Sequence, residues 1–173
     1  MNLVHCTEER HAGAILAILN HAIETSTALY DYRPRPPEAM APWFAAKRAN
    51  GWPVLGLEDE AGALLAFASW GAFRAFPAYK YTVEHSIYVR HDQRGRGLGR
   101  RLLQVLLDEA QARGLHQLVG GIDAGNTASI ALHAQLGFEH AGTLRQAGFK
   151  FGRWLDLAFY QRLLPTPVAP VDG

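Results

Sequence analysis

The sequence lacks the features that mark disulfide-rich, zinc-binding and membrane proteins. Cys6 is its single cysteine, which excludes an internal disulfide and a zinc site built on a cysteine pair. The eight histidines include no HExxH motif and no His-x-His pair, so no metal is expected. Residues 1–20 do not combine a basic start with an apolar run, and no apolar stretch is long enough to span a bilayer. These absences predict a cytoplasmic protein without a membrane segment.

The sequence also lacks an excess of charge of either sign. Its 17 Lys and Arg residues against 16 Asp and Glu give a formal net charge of +1, so the chain as a whole is not a polyelectrolyte. The basic cluster at residues 94–101 is local and has no interleaved aromatic residues, so nucleic acid is not expected as a partner. The length and the 49% of hydrophobic residues predict one domain over residues 1–164. A proline-rich, disordered tail is predicted at residues 165–173.

Periodicity and turn signals predict the element order β-α-α-β-β-β-α-β-α-β-β. An apolar helical face follows Thr7, which is a candidate helix cap. Residues 53–59 and 63–73 predict a β-hairpin, and Asn126 is placed to cap a later helix. Two long strands are predicted to close the chain around residues 147–149. This order predicts the α+β (mixed α/β) class, with a mainly antiparallel sheet and crossover helices.

The most informative segment is Arg-Gly-Arg-Gly-Leu-Gly at residues 94–99, between a predicted strand and a predicted amphipathic helix. A helix start presents unpaired N–H donors, and glycines let the backbone come close to an anion. The glycine spacing does not match a Rossmann fingerprint, and the Gly-Lys-Ser/Thr of a P-loop is missing. Residue types alone therefore leave two interpretations open: a basic loop that caps a helix, and a loop that binds phosphates.

The segment at 94–99 resembles the Arg/Gln-x-x-Gly-x-Gly/Ala element of the GNAT superfamily of acetyl-CoA-dependent N-acetyltransferases. Residues 81–89, 121–138 and 148–161 resemble successive motifs of its phosphinothricin and methionine sulfone/sulfoximine acetyltransferase branch. The resemblance covers the chain up to about residue 164, with the motifs in order and suitably spaced. It implies the GNAT fold: a mostly antiparallel twisted sheet, splayed at the acetyl-CoA site and flanked by helices.

The resemblance implies acetyl-CoA as the cosubstrate. The pantetheine arm is expected along the edge of Ile87, Tyr88 and Val89, where a backbone N–H can polarise the thioester carbonyl. Asn126 and Ser129 are expected near the pantetheine or the phosphates. The residues expected to wrap the pyrophosphate are Arg94, Gly95, Arg96, Gly97, Leu98, Gly99 and Arg100.

Two residues are expected to be catalytic. Glu84 matches the catalytic glutamate of the family, which takes a proton from the attacking amine; a solvent-facing strand glutamate is the alternative. His133 shares a helix face with Ser129 and occupies the position where many superfamily members have a tyrosine that protonates the departing thiolate. Whether His133 is an acid, a base, an orienting group or a buried hydrogen-bonded histidine stays open. His85 is a weaker candidate, because it points to the strand face opposite Glu84.

The expected acceptor side carries cations where a polyamine or aminoglycoside site would need acidic walls. The cations are Arg74, Lys80, Lys150 and Arg153, and they are accompanied by Tyr30 and Thr82. Arg74 is the candidate for binding a carboxylate, with support from Thr82. The resemblance implies a small amino acid or analogue acetylated on its α-nitrogen, and a homodimer with the last strands near the interface. A protein N-terminus or lysine as acceptor, and a coenzyme A-binding module without turnover, are the alternatives.

Overall fold

The computed structural model of the chain describes residues 1–172. This part of the chain contains seven strands and four α-helices. Their bounds are β1 Asn2–His5, α1 Glu8–Thr25, α2 Met40–Ala49, β2 Val54–Glu58, β3 Leu64–Ala72, β4 Thr82–Val89, α3 Leu98–Ala112, β5 Gln117–Asp123, α4 Thr127–Gln135, β6 Glu139–Lys150 and β7 Arg153–Leu163. Short 3-10 turns cover Pro37–Ala39, Pro77–Tyr79 and His91–Gln93. The predicted element order and the α+β class are confirmed.

The strands follow the order β1-β2-β3-β4-β5-β7-β6 in one seven-stranded sheet. The pairs β1–β2, β2–β3, β5–β7 and β6–β7 are antiparallel, and β4–β5 is parallel. The parallel register is short, because it joins only Thr82–Glu84 to Gln117–Val119, while β4 itself continues to Val89 and β5 to Asp123.

The chain divides into two compact units. The first comprises Met1–Ser69 and Ile87–Leu103. Its core forms because the apolar face of α1 packs with α2 and with strand residues. The buried side chains of this core are Ile15, Ile18, Leu19, Met40, Phe44, Val54, Leu64 and Phe67. Burying each such side chain contributes about 1.5–3 kcal/mol to folding.

The second unit comprises Trp70–Ser86 and the chain from Gln104 onward. It is built on the antiparallel β5–β7–β6 ladder, with the short parallel pairing of β4 beside β5. Its buried side chains include Val83, Leu106, Leu118, Phe138, Leu155 and Ala158.

Thr7 does not cap α1 with its side chain, contrary to the prediction from its residue type. Its backbone N–H donates instead to Nδ1 of His11, at 2.9 Å. The opposite nitrogen of that ring, Nε2, lies 2.9 Å from Oε1 of the buried Glu58. The Glu58 carboxylate, from a strand far along the chain, thus orients His11, whose ring accepts the backbone N–H of Thr7 at the helix start.

The final hairpin turns later than predicted. Its strands are joined by Phe151 and Gly152, which have φ values of 52° and 72°. Two-residue hairpin loops with positive φ at both positions match the twist of the flanking strands. The predicted turn at residues 147–149 is wrong, because β6 continues through it: Gly148 pairs with Leu155 and Phe149 with Trp154, directly after a register shift between Leu144 and Gly148.

The single domain over residues 1–164 and the disorder of residues 165–173 stay predictions. Within the tail, the Thr166 carbonyl lies 2.9 Å from Nδ1 of His116, and the Val171 backbone N–H donates to the Tyr81 hydroxyl at 3.2 Å. Gly173 lies outside the described residues. Across residues 1–172, no helix combines the length and the apolar character needed to cross a membrane.

Candidate active site

The loop at residues 90–97 leads from β4 into the first turn of α3. Its start is held by the Arg90 N–H, which donates to the Leu65 carbonyl at 2.9 Å. Gly95 and Gly97 have φ values of 77° and 76°, a backbone conformation that glycine adopts without strain. Buried Leu98 then anchors the first turn of the helix.

The same loop has the properties of an anion-binding site. A Cβ placed on Gly95 or Gly97 would meet nothing within 4 Å, so the space in front of this backbone is open. The first N–H groups of α3 have no partner within the helix and carry the positive end of its dipole. The guanidinium groups of Arg94, Arg96 and Arg100 are exposed around them. Fixed N–H donors and exposed cations together suit a pyrophosphate.

Glu84 lies on β4, in the short stretch that pairs with β5. The side chain is half-buried, and this burial raises the pKa of its carboxyl above the ordinary value, while the positive charge of Arg74 acts in the lowering direction. A carboxylate with a raised pKa is a better proton acceptor than a fully solvated one.

Gly121 leaves room for the Glu84 carboxylate. A Cβ at this position would lie 3.1 Å from Oε1 of Glu84, which is tighter than an ordinary van der Waals contact. Gly121 has no positive φ, so glycine is needed here because a side chain would crowd Glu84, and not because of an unusual backbone conformation. Its neighbour Gly120 faces the opposite side of β5, where a Cβ would lie 3.1 Å from His85 and 3.2 Å from His133.

His85 and His133 form a buried pair on that opposite side. Their Nε2 atoms lie 2.9 Å apart, and the residues are 6% and 5% exposed. The Phe138 ring covers both, with centroid distances of 5.2 Å to His85 and 5.0 Å to His133. The pKa of His85 is lowered to about 3, mainly by burial and secondly by the neighbouring His133, while the Val119 backbone acts to raise it. Burial also lowers the pKa of His133, while the Ser129 carbonyl raises it.

The predicted capping role of Asn126 is confirmed. Its side-chain oxygen accepts from the Ser129 N–H at 3.1 Å, and its own N–H donates to the Asp123 carbonyl at 2.8 Å. Ser129 thus uses its N–H for the cap and its carbonyl for His133. The first turn of α4 is therefore held by Asn126 on one side of Ser129 and by His133 on the other.

The candidate acceptor residues have different surroundings. Arg74 is exposed, with its guanidinium carbon 4.6 Å from the centroid of the Phe73 ring. The Thr82 hydroxyl donates to Gln117 Oε1 at 3.3 Å and shares a strand face with Glu84. Lys80 is exposed beside the Tyr81 ring.

Other candidates lie elsewhere in the two units. Lys150 is buried against Phe151 and Arg153 is exposed, both in the second unit, whereas Tyr30 is half-buried in the first. The strand edge of Ile87, Tyr88 and Val89 belongs to the first unit, where Tyr88 packs its ring 5.3 Å from that of Phe67. Among residues 1–172, no group of three or more His, Cys, Asp or Glu could hold a metal ion.

Gly120 and Gly121 are not among the site residues predicted from the sequence, although both leave space for side chains of the candidate site. Two adjacent glycines inside a predicted strand were the available signal, since glycine in a strand marks a close approach of other groups. His85 lies on the strand face opposite Glu84, as predicted. Its contact with His133 on α4 joins residues far apart in the chain, and the sequence does not reveal it.

Comparison with known proteins identifies the family. Residues 16–138 match the model of the acetyltransferase (GNAT) family. The chain is 50% identical over 157 residues to the L-methionine sulfoximine/L-methionine sulfone acetyltransferase of Pseudomonas paraeruginosa, covering 90% of this chain and 91% of that protein. It is 40% identical over 152 residues to the phosphinothricin N-acetyltransferase of Alcaligenes faecalis, covering 87% and 77%.

The fold agrees with solved structures of the same family. A GNAT superfamily phosphinothricin acetyltransferase from Sinorhizobium meliloti, solved in complex with acetyl-CoA, superposes with a TM-score of 0.92 at 36% identity, covering 98% of this chain and 91% of that one. The chain therefore belongs to the acetyltransferase (GNAT) family and is an enzyme of the N-acetyltransferase class.

Proposed function

We propose that this enzyme transfers the acetyl group of acetyl-CoA to the α-amine of a small amino acid or analogue of the methionine sulfone, methionine sulfoximine or phosphinothricin type. The amine attacks the thioester directly, and Glu84 takes its proton. The observation that carries the proposal is the half-buried Glu84 carboxylate, whose pKa is raised by burial and which lies near the positive charge of Arg74.

The Glu84 carboxylate suits the proton that must leave the acceptor. A free α-amine has a pKa of roughly 8, so most of it is protonated at neutral pH and cannot attack. Glu84 takes that proton, because burial raises the pKa of its carboxyl and so makes the carboxylate a stronger base. The space above Gly121 keeps the carboxylate on one face of β5, away from the histidine pair on the other.

The loop at residues 90–97 supports acetyl-CoA as the cosubstrate. When bound, acetyl-CoA supplies an activated acyl group on a sulfur leaving group. The open backbone at Gly95 and Gly97, the start of α3 and the exposed arginines fit its pyrophosphate. The Sinorhizobium meliloti relative was solved with acetyl-CoA.

A bulky residue at position 97 tests the loop. Gly97→Val is expected to abolish most of the rise in Tm that acetyl-CoA causes, because the side chain fills the open space through which the backbone approaches the phosphates. Gly114→Val is the matched control, since Gly114 has a similar φ of 70° and similarly open surroundings outside the loop. Both variants should lose stability, but only Gly97→Val should lose binding in titration calorimetry. Absence of acetyl-CoA binding by the unaltered protein would refute the loop's proposed role.

The acceptor proposal is supported by charge and by the relatives. An exposed Arg74 near Glu84 provides a cation for the substrate carboxylate, and Thr82 on the same strand face provides a hydroxyl. Methionine sulfoximine, methionine sulfone and phosphinothricin appear in the names of the Pseudomonas and Alcaligenes relatives. All three compounds are amino acids with polar oxygens on the side chain.

A substrate panel tests the whole proposal. Methionine sulfoximine, methionine sulfone, phosphinothricin, methionine, a peptide with a free N-terminus and a lysine peptide are incubated with acetyl-CoA, and the released thiol is measured. We expect turnover with the first three compounds and little with the peptides. Faster release with a peptide would move the acceptor to a protein amine, and binding of acetyl-CoA without any release would point to a binding module.

The β6–β7 hairpin supports a homodimer. Four large apolar side chains are 46–58% exposed on it: Leu144, Phe149, Phe151 and Trp154. The rings of Phe149 and Trp154 lie together, with centroids 5.1 Å apart, and clustered exposed apolar groups mark interaction surfaces.

A charge on this hairpin tests the dimer. Trp154→Glu is expected to convert a dimer to a monomer in sedimentation velocity, because burying the carboxylate in an apolar interface is unfavourable. Val168→Glu is the control, since Val168 is 94% exposed and lies in the tail. A monomeric parent protein at micromolar concentration would contradict the dimer.

A further inference from the structure

The buried pair of His85 and His133 has a proton arrangement that its neighbours determine. Nδ1 of His133 lies 2.7 Å from the Ser129 carbonyl oxygen. A carbonyl oxygen only accepts hydrogen bonds, so Nδ1 of His133 carries a hydrogen. Burial lowers the pKa of both rings, which favours neutral forms. A neutral His133 with a hydrogen on Nδ1 has a bare Nε2, which can only accept.

The tautomer of His85 follows from that of His133. The two Nε2 atoms are 2.9 Å apart, a hydrogen-bond distance that requires one hydrogen between them. Because Nε2 of His133 is bare, Nε2 of His85 carries that hydrogen and donates it. Nδ1 of His85 is then bare, and within residues 1–172 it is buried and makes no hydrogen bond of ordinary geometry.

We propose that His85 is a positioning residue, which holds His133 by donating its Nε2–H and thereby fastens α4 to the part of β4 that carries Glu84. Both nitrogens of His133 are engaged, one by Ser129 and one by His85, and the ring is 5% exposed. His133 consequently holds the backbone of α4 beside β4. It does not itself exchange protons with the reactants.

The pair can set the position of Glu84 because His85 is its neighbour in the chain. Side chains of adjacent strand residues point to opposite faces, so a fixed His85 ring orients the Glu84 carboxylate over Gly121. Gly120 makes this possible, since a Cβ there would lie 3.3 Å or less from three atoms of the two rings. The link to catalysis rests on the proposed role of Glu84, whereas the tautomers do not depend on it.

A different number of hydrogens on the His85–His133 pair would leave fewer ring nitrogens without a hydrogen bond. A pair with three hydrogens could place one on Nδ1 of each ring and share the third between the Nε2 atoms. That pair would carry a positive charge in a site covered by Phe138. Burial, the largest influence on the pKa of His85, disfavours this charge and outweighs the Val119 backbone, which favours it. The neutral and cationic pairs differ at one atom, Nδ1 of His85.

Nitrogen-15 NMR of the imidazole rings in the full-length protein measures these states directly, without substrates. We expect N–H signals from Nδ1 of His133 and Nε2 of His85, and unprotonated signals from the other two nitrogens, unchanged between pH 7 and 8, which lies above the ordinary histidine pKa of 6.5 that burial lowers in both rings. A hydrogen on Nε2 of His133, a hydrogen on Nδ1 of His85, or titration of either ring in this range would overturn the proposal. This readout stands even if the acetyl transfer is not found.

Two substitutions at His85 separate positioning from bulk. His85→Leu removes the donor, and we expect kcat to fall on the order of 10–100-fold with little change in the KM for acetyl-CoA, together with altered His133 signals. His85→Gln keeps an N–H donor and is expected to restore both the His133 tautomer and most of kcat. An unchanged kcat in His85→Leu, or a His85→Gln variant that folds but restores neither property, would rule out positioning.

Discussion

Glu84→Gln is expected to lower kcat by roughly 10²–10⁴-fold, the range for loss of a general base. Glutamine keeps the shape of the side chain and can still form hydrogen bonds above Gly121, but it cannot take a proton from the amine. Acetyl-CoA binding should stay almost unchanged. The residual rate should rise with pH, because more of the amine is then deprotonated without help from the enzyme.

A pH–rate profile beside the parent enzyme is the decisive measurement. In the parent, protonation of Glu84 removes the base, and the raised pKa of Glu84 places this loss of activity at a higher pH than the ordinary value of 4.5 would. That contribution should vanish in Glu84→Gln. The variant should fold normally, since burial penalises the charged carboxylate that it removes, and a Tm measurement checks this. Near-parental kcat at neutral pH would end the case for Glu84.

Arg74→Ala is expected to raise the KM for the amino-acid acceptor roughly 10–150-fold and to change the KM for acetyl-CoA little. The estimate takes about 1.5–3 kcal/mol for a hydrogen bond between charged groups, at about 1.36 kcal/mol for each factor of ten. The exposure of Arg74 allows its guanidinium to reach a bound carboxylate. Initial rates with each substrate varied in turn measure the two constants.

Removing Arg74 should also change the pH dependence. Its positive charge lowers the pKa of Glu84, so Arg74→Ala should raise that pKa and shift the acid limb of the rate profile to higher pH. Arg74→Lys is the matched control, because it keeps the charge but loses the two-pronged guanidinium geometry. It should preserve the acid limb and recover only part of the acceptor KM. Equal changes in both substrate constants would remove Arg74 from the acceptor site.

Local chemistry explains the predictions that are confirmed. The glycines at 95 and 97 and the buried Leu98 produce a loop-to-helix transition through backbone freedom and one apolar anchor, which short-range patterns contain. Asn126 caps α4 through a side chain that reaches three residues along the chain. The antiparallel hairpin of β2 and β3 follows from its apolar runs and the turn between them.

The sequence by itself therefore determined the element order, the α+β class and the motifs of the acetyltransferase family, because these depend on neighbours in the chain. Only the tertiary structure decided which side chains from distant parts of the chain come into contact. Glu58 orients His11 from 47 residues away, and His85 meets His133 across 48 residues. A glycine such as Gly120 can be read from the sequence as a point of close approach, but the side chains that approach it come from residues far along the chain, and their identity is decided by the tertiary fold.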